Sequence, residues 1–297
     1  MVTKPKFKRF LMYLDHYFEP VKKGEPNWAE KSEQRNVILN NEKRFSPLSL
    51  TINDVLKRAK VITSPPLAQV EWCLSAAPRP TITYKTPSII QVDLLYNPIE
   101  LEHLSIDRIG FGQKGLDFVE QVLVKIEESR ELRTFFPFEV IREACALFEQ
   151  RGYIYPYKVT EKMIPGTKVK GRIDLELSAE GTKRIFSASY RGTLLMQKEI
   201  RNWPVPELAL SGQFHGFSLY DDNIVIEESQ LKALTARTSM SWIDTGGKIA
   251  IHDHPALLAV FKDKGWLGLD ERKSHSHDSF TAKVINSQIK GNGQSKT

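Results

Sequence analysis

Asp174 and Glu176 lie two residues apart in a stretch that alternates apolar and charged side chains, so a strand there would point both carboxylates the same way. Such a pair on a sheet surface could hold Mg²⁺ for phosphodiester cleavage. That chemistry also wants an acidic-x-Lys triplet on the adjacent strand. The adjacent run reads Phe186-Ser187-Ala188-Ser189-Tyr190, without a carboxylate, and Glu271-Arg272-Lys273 falls in the C-terminal tail. Charge pairing with Lys170 or Arg172 accounts for both acids without a metal. A metal-dependent nuclease using Asp174 and Glu176 is thus an alternative with an incomplete motif.

The histidines offer a second chemistry. His252-Asp253-His254 has i, i+2 spacing suited to a metal, while His275 and His277 lie in the tail. Gly110-Phe111-Gly112-Gln113-Lys114-Gly115 has the glycine spacing of a phosphate-binding turn. The charged residues before it, Glu102 to Ile109, do not read as the buried strand which that motif follows. A turn leading into a helix is the plainer reading. The sequence holds no GKS or GKT phosphate loop, no G-x-S-x-G elbow and no H-E-x-x-H. Its two cysteines, Cys73 and Cys145, are too few for a disulfide scaffold or a cysteine-only zinc site. Cys145 falls on a helix core face, where a packed thiol is expected rather than a nucleophile. No cofactor is implied, and no catalytic or metal residue is assigned.

The remaining constellation is basic. Lys168, Lys170 and Arg172 share one face of a candidate strand, with Lys183, Arg184 and Arg191 on or near the returning strand. Phe186 and Tyr190 are interleaved there. Cations and aromatics on a sheet suit single-stranded nucleic acid through charge and stacking, although the two aromatics could equally face the core. A second basic cluster, Lys4, Lys6, Lys8 and Arg9, opens the chain.

Charge is polarised along the sequence. The 297 residues carry a net charge of +6. Residues 1–60 hold 13 Lys/Arg against 7 Asp/Glu, residues 86–157 hold 7 against 12, and residues 158–201 hold 10 against 5. Basic blocks attract phosphate of nucleic acid or of an acidic membrane surface. The acidic middle could dock a basic neighbour, including a second copy. With 41% hydrophobic residues the chain can bury a core, which excludes a wholly disordered protein. No apolar run approaches the roughly 20 residues of a membrane helix, and no secretory signal is recognisable at the N-terminus. An intracellular protein, soluble or peripheral, is expected.

Several elements are predicted to position these groups. Phe10, Leu11, Leu14 and Phe18 recur at helical spacing, Pro20 and Pro26 end that segment, and Lys22 to Arg44 reads as a flexible arm. A short helix follows Asn53. Proline-punctuated strands are expected at Ala68–Leu74, Thr81–Tyr84 and Ile89–Tyr96. Leu116–Arg130 carries an apolar stripe, and a second helix opens at Pro137 and closes at Gly152. Period 2 takes over from Lys168 to Leu177, and Ile185–Arg191 returns as a hairpin. Thr193–Ile200, Gly216–Glu227 and Lys248–His252 read as further strands, and Gln230–Ala236 and Pro255–Lys264 as short helices. After about Asp270 the sequence reads as a disordered tail.

The expected fold is α+β: an irregular basic N-terminal region, a central helical pair, an antiparallel sheet and a disordered tail. The expected domains are 1–60, 61–157 and 158–270, with 271–297 as the tail. The function expected first is a non-enzymatic, self-associating protein that binds nucleic acid or nucleoprotein. A structural layer protein of viral matrix type, touching acidic membrane and nucleoprotein, is the alternative of a different class.

Overall fold

A computed structural model describes residues 7, 9–14, 28–63, 67–76, 78–97, 100–101, 107–204, 206, 214–228 and 247–269. The architecture is α+β, and the chain divides into two units. Met1–Lys158, Asp174–Ile185 and Glu199–Leu210 form unit 1, and Val159–Ile173, Phe186–Lys198 and Ser211–Thr297 form unit 2.

In unit 1, strand β1 (Arg9–Leu14) is followed by helix α1 (Trp28–Ala59), β2 (Gln69–Ser75), β3 (Ile82–Thr86) and β4 (Ile89–Leu95). The sheet order is β1-β2-β4-β3. β1 and β4 flank β2 in parallel, with Phe10 opposite Val70 and Trp72 opposite Val92, and β3 returns antiparallel on β4. Parallel neighbours need a crossover, which α1 supplies between β1 and β2.

The segment read as an amphipathic helix is therefore a strand. Phe10 and Met12 alternate inward, and that period of two wins because β2 offers a complete ladder. The span from Lys22 to Arg44 is corrected likewise: from Trp28 onward it is helix, continuous through Pro47. Asn53 of α1 locks the helix to the sheet, its Oδ1 accepting the Phe10 amide N–H at 2.7 Å.

Helices α2 (Arg108–Glu128) and α3 (Phe138–Gln150) complete the layer over the sheet. The α2 stripe of Phe111, Phe118, Val119, Val122 and Ile126 is buried, with Trp72, Phe10 and Phe118 meeting at ring separations of 6.2–6.4 Å. α3 begins just after Pro137 and ends with Gly152 at φ +63°, as its terminal residues predict. α2 starts eight residues before its apolar stripe suggested. Asp107 caps it, accepting Gly110 N–H at 2.6 Å, so Gly110, Gly112 and Gly115 lie inside the helix. Their role is close packing. A Cβ on Gly112 would sit 2.2 Å from the Tyr153 ring, and one on Gly115 would crowd Leu48 and Phe45.

Strands β5 (Tyr155–Met163), β6 (Val169–Ser178), β7 (Gly181–Tyr190) and β8 (Thr193–Trp203) make a four-stranded sheet in that order, its residues divided between the units. β5 has no counterpart in the sequence reading. In unit 2, β9 (Phe214–Tyr220), β10 (Asn223–Glu228) and β11 (Lys248–Ala250) form an antiparallel sheet in the order β11-β10-β9. The single strand expected over Gly216–Glu227 is a hairpin, turned by Asp221 and Asp222 at φ +49° and +52°. Helix α4 (Pro255–Asp263) follows. Phe217 packs on Phe186 and Phe214, in space that Gly171 leaves open: a Cβ there would lie 2.6 Å from the Phe217 ring. The expected helix at Gln230–Ala236 and the tail lie outside the described residues.

Candidate nucleic-acid interface

β6 alternates as its sequence predicts. Val169, Gly171, Ile173, Leu175 and Leu177 are buried, which leaves Lys168, Lys170 and Arg172 exposed. Because β-strand side chains alternate in direction, Lys170 and Arg172 project on the outward side of β6, and Lys168 lies in the bend just before the strand. All three belong to unit 2.

The returning strand has the opposite assignment from the one its basic residues suggested. Thr182, Arg184, Phe186 and Ala188 form the buried set of β7. Arg184 is only 2% exposed, and its guanidinium lies 4.9 Å from the Trp203 ring centre, with Arg201 at 5.0 Å from the same ring. Burial, with Arg201 adding to it, disfavours its charged form. A cation held this way is a packing element of unit 1, so Arg184 is corrected from phosphate contact to core residue. Phe186 is fully buried as well, in the core of unit 2, and the half-buried Tyr190 packs edge-on to Trp266 at 5.9 Å. Lys183 belongs to unit 1 and ion-pairs with Glu199 at 3.8 Å.

Arg191 sits at the tip of the β7–β8 hairpin with φ +50°, followed by Gly192 at +84°. Positive φ at both turn positions is the geometry of a two-residue type I′ turn. Its guanidinium is exposed and lies 5.2 Å from the Tyr190 ring centre. Two further exposed cations of unit 2, Lys162 and Lys198, were passed over by the sequence reading. Lys162 lies over Phe214 at 5.7 Å. The signal for both was the surplus of charge over residues 158–201, but β5 was unread and so gave Lys162 no position.

Once the strands are divided between the units, the charge concentrates. The β5–β8 segments in unit 2, Val159–Ile173 and Phe186–Lys198, carry six cations (Lys162, Lys168, Lys170, Arg172, Arg191 and Lys198) against the single carboxylate Glu161. The segments in unit 1, Tyr155–Lys158, Asp174–Ile185 and Glu199–Leu210, carry four cations against five carboxylates. Glu161 pairs with Lys170 at 3.4 Å, with side chains 30% and 57% exposed. An ion pair so open to water is worth about 1 kcal/mol at most, little enough for a phosphate to exchange into.

At the N-terminus, Lys4, Lys6 and Lys8 lie outside the described residues. Arg9 is exposed but opens β1, and Phe7 beside it is buried, with its amide on the Val61 carbonyl at 3.1 Å. Arg9 is thus a strand residue of unit 1 and not part of a mobile arm.

The metal candidates assemble no ligand set. Asp174 and Glu176 are half-buried on the outward side of β6, and no group of three or more His, Cys, Asp or Glu residues able to hold a metal occurs among the described residues. His252 faces Asp222 at 3.4 Å, and Asp222 also accepts the Gly268 amide at 2.7 Å. That contact ties the β9–β10 turn to the segment after α4. His254 stands at the start of α4, its carbonyl accepting the Leu258 N–H. His275 and His277 lie outside the described residues. No helix among the described residues is long and apolar enough to cross a membrane. Comparison with family models, with curated proteins and with solved structures finds no match to this chain.

Proposed function

We propose that this protein is a non-enzymatic binding protein for single-stranded nucleic acid or its nucleoprotein, and that unit 2 makes the phosphate contacts. The observation that carries the reading is the six-to-one excess of cations over carboxylates on the β5–β8 segments of unit 2. Lys170 and Arg172 add preorganisation, with Lys168 beside them: β6 fixes the spacing of the two strand cations, so little backbone entropy is lost when a phosphate chain docks. The contacts are electrostatic and carry no sequence information by themselves.

The test is retention of a labelled single-stranded oligonucleotide as salt is raised. Each phosphate neutralised on a single strand contributes about 0.7 to the slope of log affinity against log salt. Reversing the three cations at the start of β6 and just before it (Lys168→Glu, Lys170→Glu, Arg172→Glu) should flatten that slope by about 2. No salt-dependent retention of the unaltered protein, or an unchanged slope in the triple variant, overturns the reading. Pelleting with anionic vesicles in place of oligonucleotide would favour the membrane-layer alternative.

A further inference from the structure

Unit 2 carries a half-covered aromatic pair at one end of the β6–β7 hairpin. Tyr190 continues the inward set of β7, but as the last residue of the strand it is only half-buried, whereas Phe186 is fully buried. β6 and β7 join through the turn at Ala179-Glu180, so the end of β7 lies beside the start of β6, one strand spacing of about 5 Å from the segment that bears Lys168 and Lys170. Arg191 and Gly192 then turn the chain at φ +50° and +84°. The exposed Arg191 guanidinium stays 5.2 Å from the Tyr190 ring centre.

Trp266 reaches Tyr190 from the end of α4. That helix stops in a Schellman motif: Trp266 N–H donates to the Phe261 carbonyl at 2.9 Å, Gly265 N–H donates to the Lys262 carbonyl at 3.2 Å, and Gly265 takes a left-handed φ of +66°. The apolar contact that accompanies the motif is Trp266 on the fully buried Phe261, ring centres 5.8 Å apart. Two residues on, Gly268 N–H donates to Asp222 Oδ1 at 2.7 Å. The indole is therefore fixed by backbone hydrogen bonds at and just beyond its own residue, although it is itself half-buried. Tyr190 and Phe261 meet it at 78° and 80°, so neither ring lies stacked on it in parallel. Lys264, at the C-cap of α4, completes the cluster. Asp263 chiefly raises its ammonium, Tyr190 adds to that and Arg191 opposes it, which places Lys264 beside the hairpin tip. The Asp263–Lys264 pair joins sequence neighbours with side chains 69% and 38% exposed, so it yields readily to another anion. Two cations brought together over half-covered rings repel each other in the free protein, and a phosphate chain relieves that repulsion.

We propose that Trp266 stacks one base of the bound single strand, with Tyr190 holding the indole edge-on and Arg191 and Lys264 contacting the phosphates next to that base. This rests on the nucleic-acid reading and deepens it, because it adds a base contact to binding that is otherwise charge alone. All of these residues belong to unit 2, as do the cations at the start of β6. Every base has a π-face, so the site distinguishes a base from no base and does not read sequence.

The test compares two ligands of equal length and charge, a short oligothymidylate and an abasic deoxyribose-phosphate oligomer, each titrated into the full chain over a range of salt. The oligothymidylate should bind about 5- to 140-fold more tightly, the worth of one stacked base, while the two salt slopes agree. Trp266→Ala should erase that preference and leave the slope unchanged, and Trp266→Phe, which keeps a ring in the same helix-end motif, should restore part of it. Arg191→Ala combined with Lys264→Ala should instead lower the slope by about 1.4, two phosphate contacts at about 0.7 each. The comparison of ligands uses the unaltered protein, so it decides even where Trp266→Ala fails to fold. Equal affinity for the two oligomers with the salt slope intact overturns this proposal alone, and so does an undiminished preference in a folded Trp266→Ala. Absence of salt-dependent binding to either oligomer overturns the nucleic-acid reading beneath it.

Discussion

Gly112→Ala should destabilise the protein, against the ordinary expectation for a glycine inside a helix. Helix propensity alone favours alanine by about 1 kcal/mol. The new Cβ, however, would fall 2.2 Å from Cδ1, 2.4 Å from Cγ and 2.7 Å from Cβ of Tyr153. Because the contact reaches the root of the side chain, rotating the ring cannot relieve it. Tyr153 itself is held at φ +64°, its amide on the Phe148 carbonyl at 3.0 Å, so its backbone has little room to retreat. Overpacking of this kind costs about 1–3 kcal/mol, and the severity of the contact points to the upper half of that range. The net loss should therefore be about 1–2 kcal/mol. Gly110→Ala is the control on the same helix: its Cβ would lie 3.2 Å from the exposed, movable carboxylate of Asp107, and it should be neutral or mildly stabilising. Urea unfolding followed by far-UV circular dichroism measures both. Stabilisation by Gly112→Ala, to the same degree as by Gly110→Ala, would refute the packing role given to Tyr153.

Three further outcomes are expected. Tyr155 donates to Asp54 Oδ2 at 2.9 Å, and burial first, then that carboxylate, raises its phenol above the ordinary range. Tyr155→Phe should cost about 1–2 kcal/mol near neutral pH. Because the folded state keeps a proton that the unfolded chain loses near pH 10, stability should fall as pH rises above that value, and less steeply in the variant. Cys145 is pushed up to about 12, chiefly by burial and further by Glu120, while Cys73 is buried. A thiol-disulfide reagent at pH 8 should therefore find no fast-reacting thiol until the protein is unfolded, and a rapid stoichiometric reaction would contradict the burial. Arg191→Asn places a better residue at a positive-φ turn position and removes a cation. It should stabilise by a few tenths of a kcal/mol in thermal melts while weakening oligonucleotide retention, and loss of both together would show that Arg191 matters only to folding.

Segments whose local chemistry is self-sufficient were legible from sequence. Pro137 and Gly152 bound α3 because a proline start and a left-handed glycine end need nothing from the rest of the chain. β6 was equally plain, since five buried positions alternate without a break. Segments decided by distant partners were not. Phe10 and Leu14 fit a helical period and a strand period alike, and only β2, across a parallel ladder, selects between them. The polar run from Lys22 to Arg44 concealed the first part of α1, which packing against α3 and β1 sustains. The Asp221-Asp222 turn lacks the glycine that usually marks such a bend, so one strand was read where there are two. In the candidate interface the face of β6 was readable and that of β7 was not. Arg184 and Lys183 are neighbours in sequence, and which of them turns inward depends on how the strand packs against Trp203.

The parallel placement of β1 against β2 sets a timetable for synthesis. Arg9 pairs with Gln69 and Leu14 with Leu74, so every rung joins residues sixty positions apart. At about 5–20 residues per second a ribosome needs roughly 3–12 s to deliver β2 after β1, and longer to deliver β4, which closes the other side of β2. Through that interval Phe10 and Met12 travel on a nascent chain with no ladder to join. The helix that bridges the gap can coil within microseconds of emerging, so the step that must wait is the docking of β1 on β2. Unit 1 is thus built around β1 but cannot close its ladder until β2 and β4 have followed.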